Sequence, residues 1–349
     1  MNKKTAILFL SVAVSVALFA GCAKDYKMTY NTQIPVLPNL AKVAFAGLEE
    51  ANAEGCGWYL VFNDEFDDIT SIEESERWTY SPHGLRSAGK GGDASKSSWW
   101  SPSMVSVENG NVVIRTEYRN DYDCPDGICP REGIFTGGIE TRIVNSGDAH
   151  GRSGDDTLLF GQAFGYFEAR VKLPEAQGMW SAFWLQSTHQ RKLGNYGEDG
   201  TEIDVYESAF LNSENKGLSV MGHALLWDGY SSASSRSVGT VVDLPYTLYD
   251  GDYHTFGVLW TPECYVFYID GSPTWITDAG GVSKVKEFLR LTVEVDEGDE
   301  YGPHGRKIGA YANSEKTTFY IDRVTVYQNT AFAAAEKPDD FYKGKRDEK

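Results

Sequence analysis

Along much of this chain, apolar and polar residues alternate with a period of two. Over residues 166–173, Phe167, Ala169, Val171 and Leu173 fall on one side, and Glu168, Arg170 and Lys172 on the other. Successive side chains of a strand point to opposite faces, so the pattern predicts a strand with one buried face. Residues 112–118 alternate in the same way, with Val112, Ile114 and Thr116 together. Residues 254–260, 265–270 and 318–327 are further strand candidates, and Asp270-Gly271 is a turn signal at the end of one of them. No long amphipathic helix is expected; residues 285–291 are expected to form a short one. Many strands separated by turn signals predict an all-β chain. The expected form is a two-sheet antiparallel β-sandwich or jelly roll, with its sheets about 10 Å apart. Neither a second core nor an internal repeat stands out.

The most informative segment is Gly200-Thr201-Glu202-Ile203-Asp204-Val205-Tyr206-Glu207-Ser208. In a strand Glu202 and Asp204 share a face, while Ile203 and Val205 point into the core. Glu207 lies five residues from Glu202 and in a regular strand would face the other way. One bulged residue near Val205 or Tyr206 returns it to the acidic face, and bulges often re-aim side chains beside active sites. The two glutamate Cα atoms are then about 13 Å apart, at roughly 3.3 Å per effective residue. Side chains leaning inward close that to about 5–5.5 Å between carboxyls, the separation of a retaining glycosidase. In that chemistry one carboxylate attacks the anomeric carbon and the other gives a proton to the leaving oxygen. Three acids on one face also disfavour simultaneous ionisation, so at least one pKa rises. A solvated strand face or a calcium site would use the same residue types, and the spacing alone does not choose between these readings.

The ends of the chain change the picture of where it works. Lys3 and Lys4 precede an apolar run from residue 6 to 19, then Ala20, Gly21 and Cys22. This is the layout of a signal peptide over residues 1–21. Cys22 after Ala-Gly resembles a bacterial lipobox, with Phe19 where Leu is usual. The expectation is an exported, membrane-anchored lipoprotein at the cell surface or in the periplasm, held by an acyl chain rather than a spanning helix. Ordinary secretory cleavage nearby is the alternative. Residues 22–56 read as a lipidated N-terminus and spacer, 57–330 as the folded domain and 331–349 as a flexible tail.

Composition limits the partners. Removing residues 1–21 takes away two lysines and no acid, so the net charge moves from −18 to −20. Nucleic acid is excluded as a partner on this ground, since its binding needs Lys and Arg to displace counterions. Heavily sulfated polymers are disfavoured, and neutral sugars carry no such penalty. Cys124 and Cys129 bracket a turn-like Pro125-Asp126-Gly127-Ile128, which suits either a local disulfide or two free thiols; Cys56 and Cys264 are the other two cysteines beyond Cys22. The sequence is silent on oligomeric state.

At this point the chain resembles glycoside hydrolase family 16, whose fold is a concanavalin A-like jelly roll with an open concave cleft. The resemblance runs from about residue 62 to 328. It is carried by Phe62-Asn63-Asp64-Glu65-Phe66, by Val107-Glu108-Asn109-Gly110-Asn111, and by the runs 165–174, 178–184, 253–261 and 319–324. It implies that Glu202 is the nucleophile, Asp204 the assisting acid and Glu207 the general acid/base. The longer, bulged E-x-D-x-x-E motif is similar to the branch holding laminarinases, agarases and endo-β-galactosidases. Ser181 stands where Pro is common, and residues 144–163 form an unusually long segment.

The implied activity is retaining, endo-acting cleavage of internal β-glycosidic bonds, first of β-1,3- or mixed-linkage β-1,3(1,4)-glucan. The alternatives are an endo-β-galactosidase or agarase-type hydrolase, and a non-catalytic surface glycan-binding lipoprotein. Trp180 and Trp184 share a face with Ala182, suited to stacking on sugar rings, or else they are core residues. His223 and Trp227 share a face on a neighbouring strand and are further substrate-binding candidates, with a structural histidine as the alternative. Trp99-Trp100 reads as a rim platform or as half-buried packing. No cofactor is expected for catalysis. The resemblance implies a structural calcium on Glu65, Gly110 and Asp322, oxygen ligands of the kind calcium takes.

Overall fold

The computed structural model describes residues 57–82, 84–85, 98–123, 131–145, 156–176, 178–188, 196–208, 219–230, 235–295 and 315–338. The expected leader, the spacer with Cys22, and Cys56, Cys124 and Cys129 lie outside the described residues.

Two large antiparallel sheets make the fold. One carries the acidic segment and runs in the order Arg236–Asp243, Val220–Trp227, Glu202–Glu207, Met179–Gln186, Phe288–Val295, Gly138–Glu140, Thr79–Tyr80. We call it the acidic sheet. The back sheet runs Ser272–Thr277, Tyr265–Ile269, His254–Trp260, Gly165–Lys172, Thr318–Asn329, Asn111–Arg115, Val105–Glu108, with Trp58–Asp64 also paired to Thr318–Asn329. This is the expected all-β jelly-roll sandwich. Its core lies between the sheets: Phe167, Ala169 and Val171 from the back sheet meet a cluster that includes Phe183, Leu185, Ile203, Val205, Leu289 and Leu291 from the acidic sheet.

Alternation misleads in one respect. The polar side of Gly165–Lys172 is not simply solvated, because Tyr166 and Glu168 are also buried. A second cluster of Trp58, Tyr166, Leu259, Val266, Tyr268 and Tyr327 covers that outer surface. The short helix Thr330–Ala333 sets Phe332 edge-on against Trp58, with ring centroids 5.7 Å apart. Packing therefore continues past residue 330, where a flexible tail was expected.

The short helix expected over residues 285–291 does not form. Phe288–Val295 is instead a central strand between Met179–Gln186 and Gly138–Glu140. Leu289, Leu291, Val293 and Val295 enter the core at a period of two. A short apolar run fits both periods, and here sheet pairing decides it. Ser98–Trp100, which holds the Trp99-Trp100 pair, is a strand of a small four-stranded sheet and pairs in parallel with Gly133–Thr136.

Candidate active site

The acidic strand carries the bulge its spacing requires. Against Met179–Gln186, Phe183 pairs with Tyr206 and Trp184 with Asp204, so Val205 is the extra residue. The register against Val220–Trp227 shifts at the same place, between Asp204 and Glu207. Ile203, Val205 and Tyr206 all enter the core. Two consecutive inward residues turn the strand by one position, so Glu202, Asp204 and Glu207 share the outer face of the acidic sheet.

Neighbouring strands give that face its floor. Glu207 lies opposite Ala182 and Gly222, Asp204 opposite Trp184 and Ala224, and Glu202 opposite Leu226. The small residues Gly222, Ala182 and Ala224 leave room beside the acids. The far end of the strand is pinned by Ser181, whose N–H donates to the Ser208 Oγ at 2.9 Å. Ser208 returns its own N–H to the Ser181 carbonyl, also at 2.9 Å. Proline at position 181 would have no N–H to give.

Electrostatics single out Asp204. Burial raises its pKa well above the ordinary carboxylate range, and the charges of Glu207, Glu202 and Glu294 raise it further. Both causes act against full ionisation of the cluster. The Trp180 indole N–H donates to Glu207 Oε1 at 3.0 Å, which places this half-buried ring on the acidic face. Trp184 lies on the same face but is 5% exposed, clustered with Trp100 and Ala182 and covered by the Arg290 guanidinium 4.0 Å from its ring centroid. Its indole N–H donates to Thr292 Oγ1 at 3.0 Å. Trp100 is likewise buried and donates to the Val293 carbonyl at 2.8 Å. Trp184 and Trp100 thus form a packed layer on the sheet, and Trp180 reaches an acid.

His223 and Trp227 are corrected by the structure. Both belong to the opposite face of their strand, in the core between the sheets. The His223 ring nitrogens bond to the Val205 carbonyl at 2.6 Å and Thr274 Oγ1 at 2.9 Å, and its ring packs on Phe267 and Trp275. Burial lowers its pKa to about 4, so it stays neutral. Trp227 joins the main core, and its ring would meet a Cβ at Gly280 within 2.6 Å. The reason is parity. Glu202 pairs with Leu226 and Glu207 with Gly222, so the even positions of this strand share the acids' face and the odd ones do not.

The sequence pattern of glycosyl hydrolases family 16 matches residues 97–283, which include the whole acidic strand. The chain belongs to this family. Among relatives, it is 25% identical over 224 residues to a β-glucanase of Rhodothermus marinus, covering 62% of this chain and 64% of that protein. It is 25% identical over 273 residues to a keratan-sulfate endo-1,4-β-galactosidase of Sphingobacterium multivorum, covering 78% and 55%. The chain thus spans between half and two thirds of the length of these curated relatives. A structure from work on endo-acting O-glycanases of human gut microbiota that initiate mucin breakdown superposes with a TM-score of 0.59 at 20% identity, covering 82% of this chain and 97% of that one. Porphyranase B of Zobellia galactanivorans gives 0.55 at 20% identity, covering 78% and 92%.

Beside the three acids stands a polar network that sequence reasoning missed. Gln186 donates from Nε2 to Glu202 Oε2 at 3.1 Å, and the Tyr230 hydroxyl donates to the same oxygen. Arg290 donates from Nη1 to Gln186 Oε1 at 3.1 Å and places Nη2 2.9 Å from Glu140 Oε2. Arg142 donates from Nε to the other Glu140 oxygen at 2.8 Å and from Nη1 to Asp156 Oδ2 at 3.0 Å. The available signal was parity: Gln186 follows Trp180, Ala182 and Trp184 at a period of two.

Of the residues matched to a calcium site, Glu65 follows the strand Trp58–Asp64, Gly110 lies in a turn, and Asp322 is on the interior strand Thr318–Asn329. A Cβ at Gly110, where φ is +71°, would meet Asp67 Oδ1 at 2.3 Å and the Glu65 carbonyl at 3.7 Å. Asp322, however, gives Oδ2 to the Arg170 guanidinium at 2.6 Å. That ion pair engages one oxygen of Asp322, so a calcium ion there would compete with a guanidinium for the carboxylate. Cys264 is a free thiol.

Proposed function

We propose that this protein is an endo-acting, retaining glycoside hydrolase that cuts internal β-glycosidic bonds of a polysaccharide. The observation that carries the reading is the Val205 bulge, which sets Glu202, Asp204 and Glu207 on one face. Glu202 attacks the anomeric carbon and forms a covalent glycosyl-enzyme; Glu207 protonates the leaving oxygen and then activates water. Asp204 shapes the field between them and limits how much charge the site holds. Its raised pKa supports a cluster that holds a proton more tightly than ordinary carboxylates do. Trp180, bonded to Glu207, positions the acid/base and offers its ring to a neighbouring sugar.

The substrate we propose is a neutral β-linked polymer, first β-1,3- or mixed-linkage β-1,3(1,4)-glucan. A second reading, a β-galactose-containing glycan, is favoured by the wider coverage of this chain by the endo-β-galactosidase relative, 78% against 62% for the β-glucanase. The protein works outside the cytoplasm, tethered through an acylated Cys22, and the described residues contain no helix long and apolar enough to cross a membrane. The test is a product profile on laminarin, mixed-linkage glucan, agarose and a desulfated keratan. Short oligosaccharides of the β anomer, seen by proton NMR before mutarotation, are expected. An initial α product would overturn retention; cleavage of the galactans alone would reverse the order of substrates; binding without cleavage of any polymer would leave a glycan-binding lipoprotein.

A further inference from the structure

Two donors from different strands and turns converge on one oxygen of Glu202. Gln186 closes the Met179–Gln186 strand, and Tyr230 lies just past the end of Val220–Trp227. An amide can turn either end toward a neighbour, and Gln186 is turned by its environment. Its oxygen accepts from Arg290, an obligate donor, so its NH2 group must face Glu202. Arg290 is 2% exposed and lies over the rings of Trp184 and Trp100, at 4.0 and 5.3 Å from their centroids. Its charge is met by Glu140, itself fully buried and shared with Arg142. A guanidinium so enclosed and so neutralised is poorly placed to bind an anionic group on a substrate. What it does reach is the amide behind the nucleophile.

We propose that Tyr230 and Gln186 hold the Glu202 carboxylate in position for attack, and that Arg290, clamped by Glu140, locks Gln186 in its donating orientation. The inference rests on Glu202 being the nucleophile. Tyr230 and Gln186 are positioning residues, and Arg290 acts one step further back. Donors to a carboxylate favour its ionised form, so loss of either one makes Glu202 easier to protonate. A purely structural role for these residues would not move that proton equilibrium.

The experiment reads the equilibrium directly, without a substrate. Carboxyl groups of wild type, Tyr230→Phe, Gln186→Met and Arg290→Lys are coupled to glycinamide with a water-soluble carbodiimide across a pH series. Labelling of the peptide containing Glu202 is followed by mass spectrometry, and melting curves confirm that each variant is folded. Tyr230→Phe changes a half-exposed side chain, so it tests the idea even where Gln186→Met folds poorly. The half-labelling pH is expected to rise by about one unit in Tyr230→Phe and Gln186→Met, and by less in Arg290→Lys. On whichever of laminarin, mixed-linkage glucan and agarose the wild type cleaves fastest, kcat/KM should fall roughly tenfold, with its acid limb moved to higher pH. Unchanged midpoints and acid limbs in folded Tyr230→Phe and Gln186→Met, with Glu202→Gln inactive, would overturn the positioning role and leave the nucleophile standing. Cleavage by Glu202→Gln would overturn the nucleophile, and this inference with it.

Discussion

Asp204 and Glu168 are both mid-strand carboxylates, 4% and 1% exposed, one on the outer face of each sheet, and they are buried on opposite terms. Glu168 has company that suits an acid: the Tyr166 hydroxyl donates to it at 3.0 Å and the Arg323 guanidinium stands 3.4 Å away. Burial still wins and raises its pKa to about 7. Around Asp204 the charges that act are those of Glu207, Glu202 and Glu294, all acids, and they add to burial. Glu140, fully buried, is a third case and sits between the guanidinium groups of Arg142 and Arg290. A fold buries a structural acid beside counter-charge. A cluster of like charges opposes folding, and its survival on an open face marks a place where chemistry uses it.

Substitution of the acids is the strongest way to break this contrast. Glu202→Gln is nearly isosteric and removes a charge from a crowded group. Turnover should fall by at least roughly a thousandfold while the melting temperature holds or rises. Glu168→Gln removes a charge that burial opposes and should leave turnover intact, with kcat/KM within about twofold of wild type. Residual activity in Glu202→Gln, or a dead Glu168→Gln, would undo the division between functional and structural acids.

The tryptophans of the acidic face sharpen the same division. Trp184 is enclosed by Trp100 and Arg290, so Trp184→Ala should cost about 3–5 kcal/mol of stability, read from denaturant unfolding. Trp180→Phe keeps most of the ring and loses the N–H to Glu207. It should leave stability nearly intact and lower kcat/KM by about tenfold. The opposite pattern would exchange their roles.

Much of this arrangement was legible along the chain, and the limits are instructive. The bulge near Val205 follows from five-residue spacing, because a regular strand cannot put Glu202 and Glu207 on one face. The sandwich follows from alternation such as that of residues 166–173. The face of Val220–Trp227 did not follow, because this strand is apolar on both sides. Only its register against Glu202 and Glu207 shows that Gly222, Ala224 and Leu226 face the acids, while His223 and Trp227 enter the core. Tyr230, Arg290 and Glu140 escaped for a related reason. They lie 28, 88 and 62 residues from Glu202 in sequence, and strand pairing alone brings them together.

Stability against pH tests the two burial terms in one curve. A carboxyl whose folded pKa is raised binds its proton more tightly in the folded state, so its contribution is complete below the unfolded value and is lost as pH rises through the folded one. For Glu168 that window runs from 4.5 to about 7, and for Glu287, which burial raises, from 4.5 to about 8. Asp204 acts in the same direction. Unfolding free energy should therefore fall as pH rises from about 5 to 8. The Glu168 share is on the order of 3 kcal/mol. Glu168→Gln should flatten the curve over its window, and an unchanged slope would mean that Arg323 and Tyr166 compensate the charge more fully than burial opposes it.

The smallest expected effect concerns the cation that the resemblance implies. A site holding calcium at a hundred times its dissociation constant would stabilise the fold by about 2.7 kcal/mol. Here Asp322 is already paired with Arg170, each about a third exposed, and such a pair contributes about 0–1 kcal/mol. Arg170 also rests on the Tyr253 ring, 4.5 Å from its centroid, which holds the guanidinium over Asp322. Calcium would have to overcome both contacts to reach the carboxylate. Melting with excess calcium and with a chelator should therefore agree within about a degree or two. Arg170→Met, which vacates Asp322, should widen that gap if Glu65, Gly110 and Asp322 can form a site. A large calcium shift in the wild type would show that Arg170 yields to the ion, and that the back sheet takes its counter-charge from solution.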